Sequence, residues 1–427
     1  MNGPRVLVVA HYASARLGGE AAIPLELFGR LRDRGVEAWL LTHTSCGAEL
    51  RATRPDDADR IFCVDSLPGF GPLLPIGERL PVAGRALAWS VTQLERQQAM
   101  MPAVRRLVRE LGITVVHQPI SVSPTIPSPV RRVGVPVVMG PLNGGMDLPP
   151  AFRGRDSRFD RVRKLSAPRL RGVLNRLLPG RLEAAVVLVA NDRTRALLPT
   201  GLRGEVRRLS DIGVDLGRPP VEATEGEVPQ LCFVGRLVPL KGVDLLLRAF
   251  AEVADELPAG LTIVGDGPQR KELEALTATL GVEQQVAFTG WLAPEACAQA
   301  LSDCDLFVFP SLQEAGGVVV LEAMAAARPV IAARWGGPAE LLDDDCAILL
   351  DVDNRESFHR ELVSAIRALC ADPVRRRRMG QAGRRRAEGE YDWNGLVDRT
   401  LAVYQEVSVP SDAWAGRTQG VSIKSSD

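Results

Sequence analysis

The chain has 427 residues, 46% of them hydrophobic and 24% charged, with 40 Gly and 31 Pro spread without a repeat. That is the size and composition of two soluble domains, and it excludes collagen, coiled coil and wholesale disorder. Formal charge is zero, but residues 1–217 hold 31 Lys and Arg against 20 Asp and Glu, or +11, while residues 218–427 hold 21 against 32, or −11; with only three Tyr as platforms, nucleic-acid binding has little support.

Short β-branched runs alternate with helical patterns, the signature of parallel sheets with crossover helices. In the first half the pattern predicts strands at 6–10, 38–42, 61–64, 115–117, 135–139 and 186–190, with helices at 21–34 and 102–111. In the second half it predicts strands at 230–234, 261–264, 286–288, 306–309, 330–332 and 347–350. Two doubly wound α/β domains follow. The boundary falls in 215–229, where Pro, Gly and acidic residues interrupt the apolar periodicity. This gives a first domain over 1–217, a second over 218–390, a helix over 391–407 that returns to the first domain, and a polar, disordered tail over 408–427.

Cys46, Cys63, Cys232, Cys297, Cys304, Cys346 and Cys370 are odd in number and lack a C-x-x-C pair, which fits a reducing cytosol rather than a disulfide framework or zinc knuckle. No run of 18 apolar residues occurs, and the apolar stretch at 5–10 reads as a buried strand rather than a signal sequence. A cytoplasmic protein is the expectation.

Two segments carry the chemistry. Gly235-Arg-Leu-Val-Pro-Leu-Lys-Gly242 follows a predicted strand and opens a helix at 243–253, so glycine backbone, helix-start amides, Arg236 and Lys241 converge where a diphosphate would sit. A basic surface turn is the plainer alternative. Glu314-Ala-Gly-Gly-Val-Val-Val-Leu-Glu322 follows the strand ending at Phe309, on the edge where open α/β sheets take ligands. There Gly316, Gly317 and Val318 form a stripped helix entry, Glu314 can accept from sugar hydroxyls, and Glu322 can take a ribose diol; solvated helix charges are the alternative.

This pair of motifs, about 75 residues apart, resembles glycosyltransferase family 4, retaining enzymes of the GT-B fold, in which two Rossmann-like domains face a central cleft. The likeness extends through Gly265-Asp-Gly-Pro268, Gly290-Trp-Leu292 and Gly18-Gly19-Glu20, over roughly residues 5–405. It implies that Arg236 and Lys241 bind the donor diphosphate beside Gly235 and Gly265, that Glu322 takes the ribose, and that Glu314 takes the donor sugar with the amides of Gly316 and Gly317. Gly290 and Leu292 would frame the base, and Gly18 and Gly19 would approach the β-phosphate. A histidine is frequent in the family at the position of His117, although its H-x-H form is absent because residue 119 is Pro, and a packed histidine is the alternative; Asn143 and Gly144, in Gly140-Pro-Leu-Asn-Gly-Gly145, suit the acceptor side, with a tight turn as the alternative. The implied catalytic set is Glu314, His117, Arg236 and Lys241.

The resemblance implies transfer of a hexosyl or N-acetylhexosaminyl group from a nucleotide-diphosphate sugar, UDP ahead of GDP, to a hydroxyl of a glycan, glycolipid or natural product. A non-catalytic nucleotide-sugar binder is the alternative; a dinucleotide oxidoreductase is disfavoured because no G-x-G-x-x-G follows the first strand. No cofactor is required on this reading. The Asp303/Asp305 and Asp343–Asp345 clusters are read as turn and strand-edge acids, not metal ligands. Residues 153–181, with ten Lys and Arg and two Asp around an apolar stripe, form a basic amphipathic segment. Its stripe either packs on the first sheet, the preferred reading, or rests weakly on the inner membrane face. Sequence leaves oligomeric state and acceptor open.

Overall fold

The structure, a computed structural model, describes residues 3–14, 16, 19–69, 82–155, 175–217 and 228–408. The chain divides into two compact units: one of Met1–Gly145, Arg161–Asp211 and Leu396–Asp427, the other of Met146–Asp160 and Ile212–Gly395. The helix Trp393–Ser408 thus enters the first unit at Leu396.

The first unit holds a seven-stranded parallel sheet of β1 (Arg5–Val9), β2 (Glu37–His43), β3 (Ile61–Val64), β4 (Val115–Gln118), β5 (Val137–Leu142), β6 (Val186–Val189) and β7 (Glu205–Arg208), in the order β3-β2-β1-β4-β5-β6-β7. Val8 pairs with Leu40 on one side and His117 on the other, and the central strands are buried on both faces, as crossover topology requires. The second unit holds a six-stranded parallel sheet of β8 (Gln230–Val234), β9 (Gly260–Val264), β10 (Val286–Gly290), β11 (Leu306–Phe309), β12 (Val330–Ala333) and β13 (Ala347–Leu350), in the order β10-β9-β8-β11-β12-β13. In each sheet the direction of winding reverses once, between β1 and β4 and between β8 and β11. Ligands of open α/β sheets lodge outside the strand carboxyl ends at such reversals.

Twelve of these thirteen strands coincide with predicted runs. The unpredicted one, β7, reads Glu-Val-Arg-Arg, has exposed ends and lies at the sheet edge, so no apolar alternation marks it. The helix expected to begin at Pro102 instead spans Val82–Glu110 with Pro102 inside it. A proline removes one intrahelical donor, and burial of Met100, Met101, Val104 and Leu107 against Leu7, Val9, Trp39 and Leu41 sustains the helix through it. Of the basic segment, residues 156–174 lie outside the described ones; beyond them Leu177 is 67% exposed. The tail over 409–427 and linker residues 218–227 also lie outside. Among the described residues no helix is long and apolar enough to cross a membrane.

Candidate functional site

Three glycines end three neighbouring strands of the second sheet. Gly235 donates its N–H to the Val264 carbonyl at 3.0 Å, and Gly265 donates to the Gly290 carbonyl at 2.8 Å, so the chain ends are stitched side by side. Gly265 has φ +131°, and a Cβ there would stand 2.0 Å from the Gly235 carbonyl oxygen. No other residue fits that close approach. After it the carbonyl of Asp266 accepts from Leu237 N–H at 2.9 Å, tying the loop after β9 to the loop after β8.

At the reversal between β8 and β11 the two charged loops meet. Leu312 N–H reaches the Leu240 carbonyl at 2.9 Å, and Gly242, at φ +68°, passes so near Pro310 that a Cβ would lie 2.6 Å from its carbonyl oxygen. This contact brings Lys241 and Glu314 together: the Lys241 ammonium donates directly to the Glu314 carboxylate, and both side chains are about four-fifths buried. The same ammonium stands 5.0 Å from the centroid of the Phe309 ring, whose face favours a cation. The Glu314 loop is itself clamped from behind. Its carbonyl accepts from Gly337 N–H at 2.8 Å, and a Cβ on Gly337 would come within 2.2 Å of the Gly316 carbonyl oxygen.

Gly317, at φ +97°, caps the helix Val318–Ala325 without a side-chain cap, leaving first-turn amides beside an exposed Val318. Glu322 is inside that helix. Burial holds its carboxyl above the usual carboxylate range, and among the described residues it has no hydrogen-bond or ion-pair partner. Arg236 is exposed and likewise unpaired among them. A site with one cation already neutralised, a second cation open, helix-start amides and an unpaired, half-buried carboxylate can take a diphosphate and a diol together.

Leu292 packs partly buried against the core, whereas Trp291 beside it is 74% exposed, an aromatic face at the end of β10 that sequence reasoning passed over. Gly19 is described, with φ +54° and open space around its Cβ direction; Gly18 lies outside the described residues.

His117 is placed otherwise than expected. It is 1% exposed, its Nε2–H donates to the Gly140 carbonyl at 2.6 Å, and its Nδ1 accepts from the Tyr404 hydroxyl. Both nitrogens are occupied, and burial pushes its pKa down to about 4, so it is a neutral, packed histidine joining β4, β5 and the last helix. Asn143 is also engaged within the first unit: its Nδ2 donates to Asp211 at 2.9 Å, and its Oδ1 accepts from Asn191 at 3.1 Å and from Arg193 at 3.2 Å. Asp211 is pushed up to about 6 by burial, against the Asn143 bond. Gly144 gives its N–H to Thr194 Oγ1 at 3.0 Å, and a Cβ there would meet the Pro124 ring at 2.5 Å. Packing, more than ligand approach, requires that glycine.

Among the described residues no three His, Cys, Asp or Glu side chains converge as metal ligands would. Asp305 accepts from Gln230 N–H at 2.8 Å, and Asp343 pairs with Arg386 at 2.8 Å, so both carry structural bonds.

Residues 219–386 match the family model described as glycosyl transferases group 1. Alpha-maltose-1-phosphate synthase of Mycolicibacterium smegmatis is 35% identical over 208 residues, covering 47% of this chain and 51% of that protein. D-inositol 3-phosphate glycosyltransferase of Segniliparus rotundus is 36% identical over 208 residues, 45% of each chain. Among solved structures, sucrose-phosphate synthase from Thermosynechococcus elongatus superposes with TM-score 0.63 at 19% identity, over 94% of this chain and 98% of that one. Anabaena HepE in complex with UDP gives 0.62 at 17% identity, over 94% and 100%. The chain spans about half the length of the curated relatives it matches. Along its own length it shares with the solved structures two parallel-sheet, Rossmann-like units, the GT-B fold of glycosyltransferases.

Proposed function

We propose that this protein is a retaining glycosyltransferase that moves a hexosyl or N-acetylhexosaminyl group from a nucleotide-diphosphate sugar, UDP ahead of GDP, to a hydroxyl acceptor. The observation that supports this best is the group at the β8/β11 reversal: Lys241 paired with Glu314, Arg236 open, and Glu322 half-buried with its carboxylate unpaired among the described residues. The donor diphosphate would take Lys241 from Glu314 and add Arg236 and the amides at Gly317 and Val318, and the freed Glu314 would accept from hydroxyls of the donor sugar. Glu322 would accept from the ribose diol, with Gly235 and Gly265 beside the diphosphate and Gly290 and Leu292 framing the base.

In the reaction the bond between the anomeric carbon and the diphosphate oxygen breaks, its electron pair leaving with the nucleotide. The acceptor oxygen bonds to that carbon from the same face, and its proton passes to the departing phosphate. The departing diphosphate gains about one unit of negative charge, which Arg236, the released Lys241 and the helix-start amides would stabilise without a metal. His117 acts here as a positioning residue, holding the Gly140 turn rather than touching substrate, and Asn143 holds the β5 and β6 ends together.

The test is a hydrolysis and thermal-shift panel of UDP- and GDP-sugars on the full chain, with Lys241→Ala and Glu314→Ala alongside. Turnover of one donor, lost in both variants, supports the reading. Unchanged turnover in both overturns the site, and binding without any turnover would make the protein a nucleotide-sugar binder.

A further inference from the structure

The first sheet has its own reversal, between β1 and β4, and the chemistry there is used by nothing described so far. Along β1 and β2 the residues Leu7 and Val9, and Trp39 and Leu41, face the helix Val82–Glu110 as part of one apolar cluster. His11 comes just past the end of β1 and His43 ends β2, and both are near enough to Arg96 of that helix to feel its charge. On the helix the apolar stripe likewise turns polar toward its N-terminus, at Gln97, Arg96 and Gln93. A polar layer therefore caps the core at the carboxyl ends of the strands.

That layer is not satisfied by the protein. His11 is 1% exposed and Gln93 2%, yet neither ring nitrogen of His11 and neither amide atom of Gln93 has a hydrogen-bond partner. The Nε2 of Gln97, the Nε of Arg96 and the Oγ of Ser121, which follows β4, are buried and unbonded as well. Arg96 has no carboxylate partner among the described residues, and its charge adds to burial in lowering the pKa of His11, to about 3, and of His43. Nearby acids are committed elsewhere: Glu95 accepts from Leu67 N–H at 2.5 Å, and Asp65 from the Thr44 hydroxyl at 2.5 Å. Buried polar atoms left bare destabilise a fold, and such clusters persist where something else completes them.

We infer that His11, Gln93, Arg96, Gln97 and Ser121 form a second binding site, for a hydroxyl-bearing anion of the sugar-phosphate or polyol-phosphate class. Arg96 meets the negative charge; the two amides, the neutral imidazole and the serine offer the mixed donors and acceptors that hydroxyls require. Assigning this ligand as the group that receives the sugar rests on the glycosyl-transfer reading above. The anion site itself does not.

With only four histidines in the chain, imidazole NMR of the full-length protein reads the site directly. Inorganic phosphate and glucose 6-phosphate, titrated to about 10 mM, are expected to move the His11 and His43 signals, leave His117 and His359 in place, and bind with at least about tenfold lower affinity in Arg96→Gln. Gln93→Leu removes two orphaned atoms, so it is expected to raise the melting temperature while weakening glucose 6-phosphate binding. Phosphatidylinositol vesicles form a separate arm: a response to them and not to the soluble phosphates assigns the same chemistry to a lipid headgroup. If no probe moves His11 and His43, or Arg96→Gln responds like the parent, ordered water alone fills the layer and the inference falls. UDP binding by Arg96→Gln is expected to equal the parent's. Loss of donor turnover in the parent protein, with the His11 response intact, would overturn the transferase reading and leave the anion site standing.

Discussion

Lys241 and Glu314 hold each other, which makes their substitution informative beyond simple loss. Each side chain of the pair is about four-fifths buried, so either alanine variant leaves the other charge stranded and should lose up to about 3 kcal/mol, while donor turnover falls by about 100-fold or more. Turnover and denaturation measured on the same preparation decide it, and a large stability loss with unchanged kcat would make the pair structural. Gly265 is the opposite case. With its φ of +131° and the Gly235 oxygen 2.0 Å from a built Cβ, Gly265→Ala should cost about 3 kcal/mol or more, read as a shifted denaturant midpoint. Near-parental stability would show that the strand ends can slide apart. His117 gives a pH signature. Its folded pKa of about 4 is below the unfolded 6.5, so between those values the unfolded chain binds a proton that the folded chain does not, and stability falls as pH falls through that window. Asp211, raised to about 6 from 3.8, works in the reverse sense. His117→Phe should therefore flatten the acid side of the stability profile, and an unchanged slope would contradict a neutral His117.

At the scale of elements, the last helix depends on one buried contact. Tyr404 is fully enclosed, and its hydroxyl is the donor to His117 Nδ1. Tyr404→Phe keeps the ring and strands that nitrogen, which should destabilise the first unit by about 1–3 kcal/mol and speed amide exchange along Trp393–Ser408. Exchange indistinguishable from the parent would mean that packing, not the hydroxyl, seats the helix. Elements were also where the sequence was most legible. Runs such as Gln230–Val234 and Leu306–Phe309 could be bounded to the residue because β-branched and aromatic clusters lie between turn residues. The helix start before Pro102 could not, since no cap marks it. At the candidate site the motif loops gave Lys241 and Glu314 their separate roles, but their direct pairing needed Gly242 beside Pro310, a contact between segments some 70 residues apart. The packing of His117 was hidden for a related reason: its partner Tyr404 lies 287 positions away. The orphaned layer at His11, Gln93 and Arg96 leaves no motif at all, being visible only when strand ends and helix face are superposed.

For the whole molecule, each unit buries its own core, and the donor contacts proposed above fall largely on the second. Calorimetry should therefore resolve two transitions, with UDP raising the one that belongs to the second unit by about 2.7 kcal/mol at a hundredfold excess over Kd. An equal rise in both, or in neither, would contradict that placement. The charge imbalance of +11 and −11 between the halves of the sequence should make this shift depend on ionic strength, since exposed charges are screened within about 8 Å at physiological salt.

The chain leaves and re-enters the first unit more than once, and the return at Leu396 has a biosynthetic consequence. Tyr404 cannot reach His117 until residue 404 itself has emerged from the ribosome, whereas every strand of the second sheet is translated before that point. The lobe begun first is thus finished last, and a nascent chain stalled just short of residue 404 should present a settled later lobe beside an earlier one still open to chaperones and proteases.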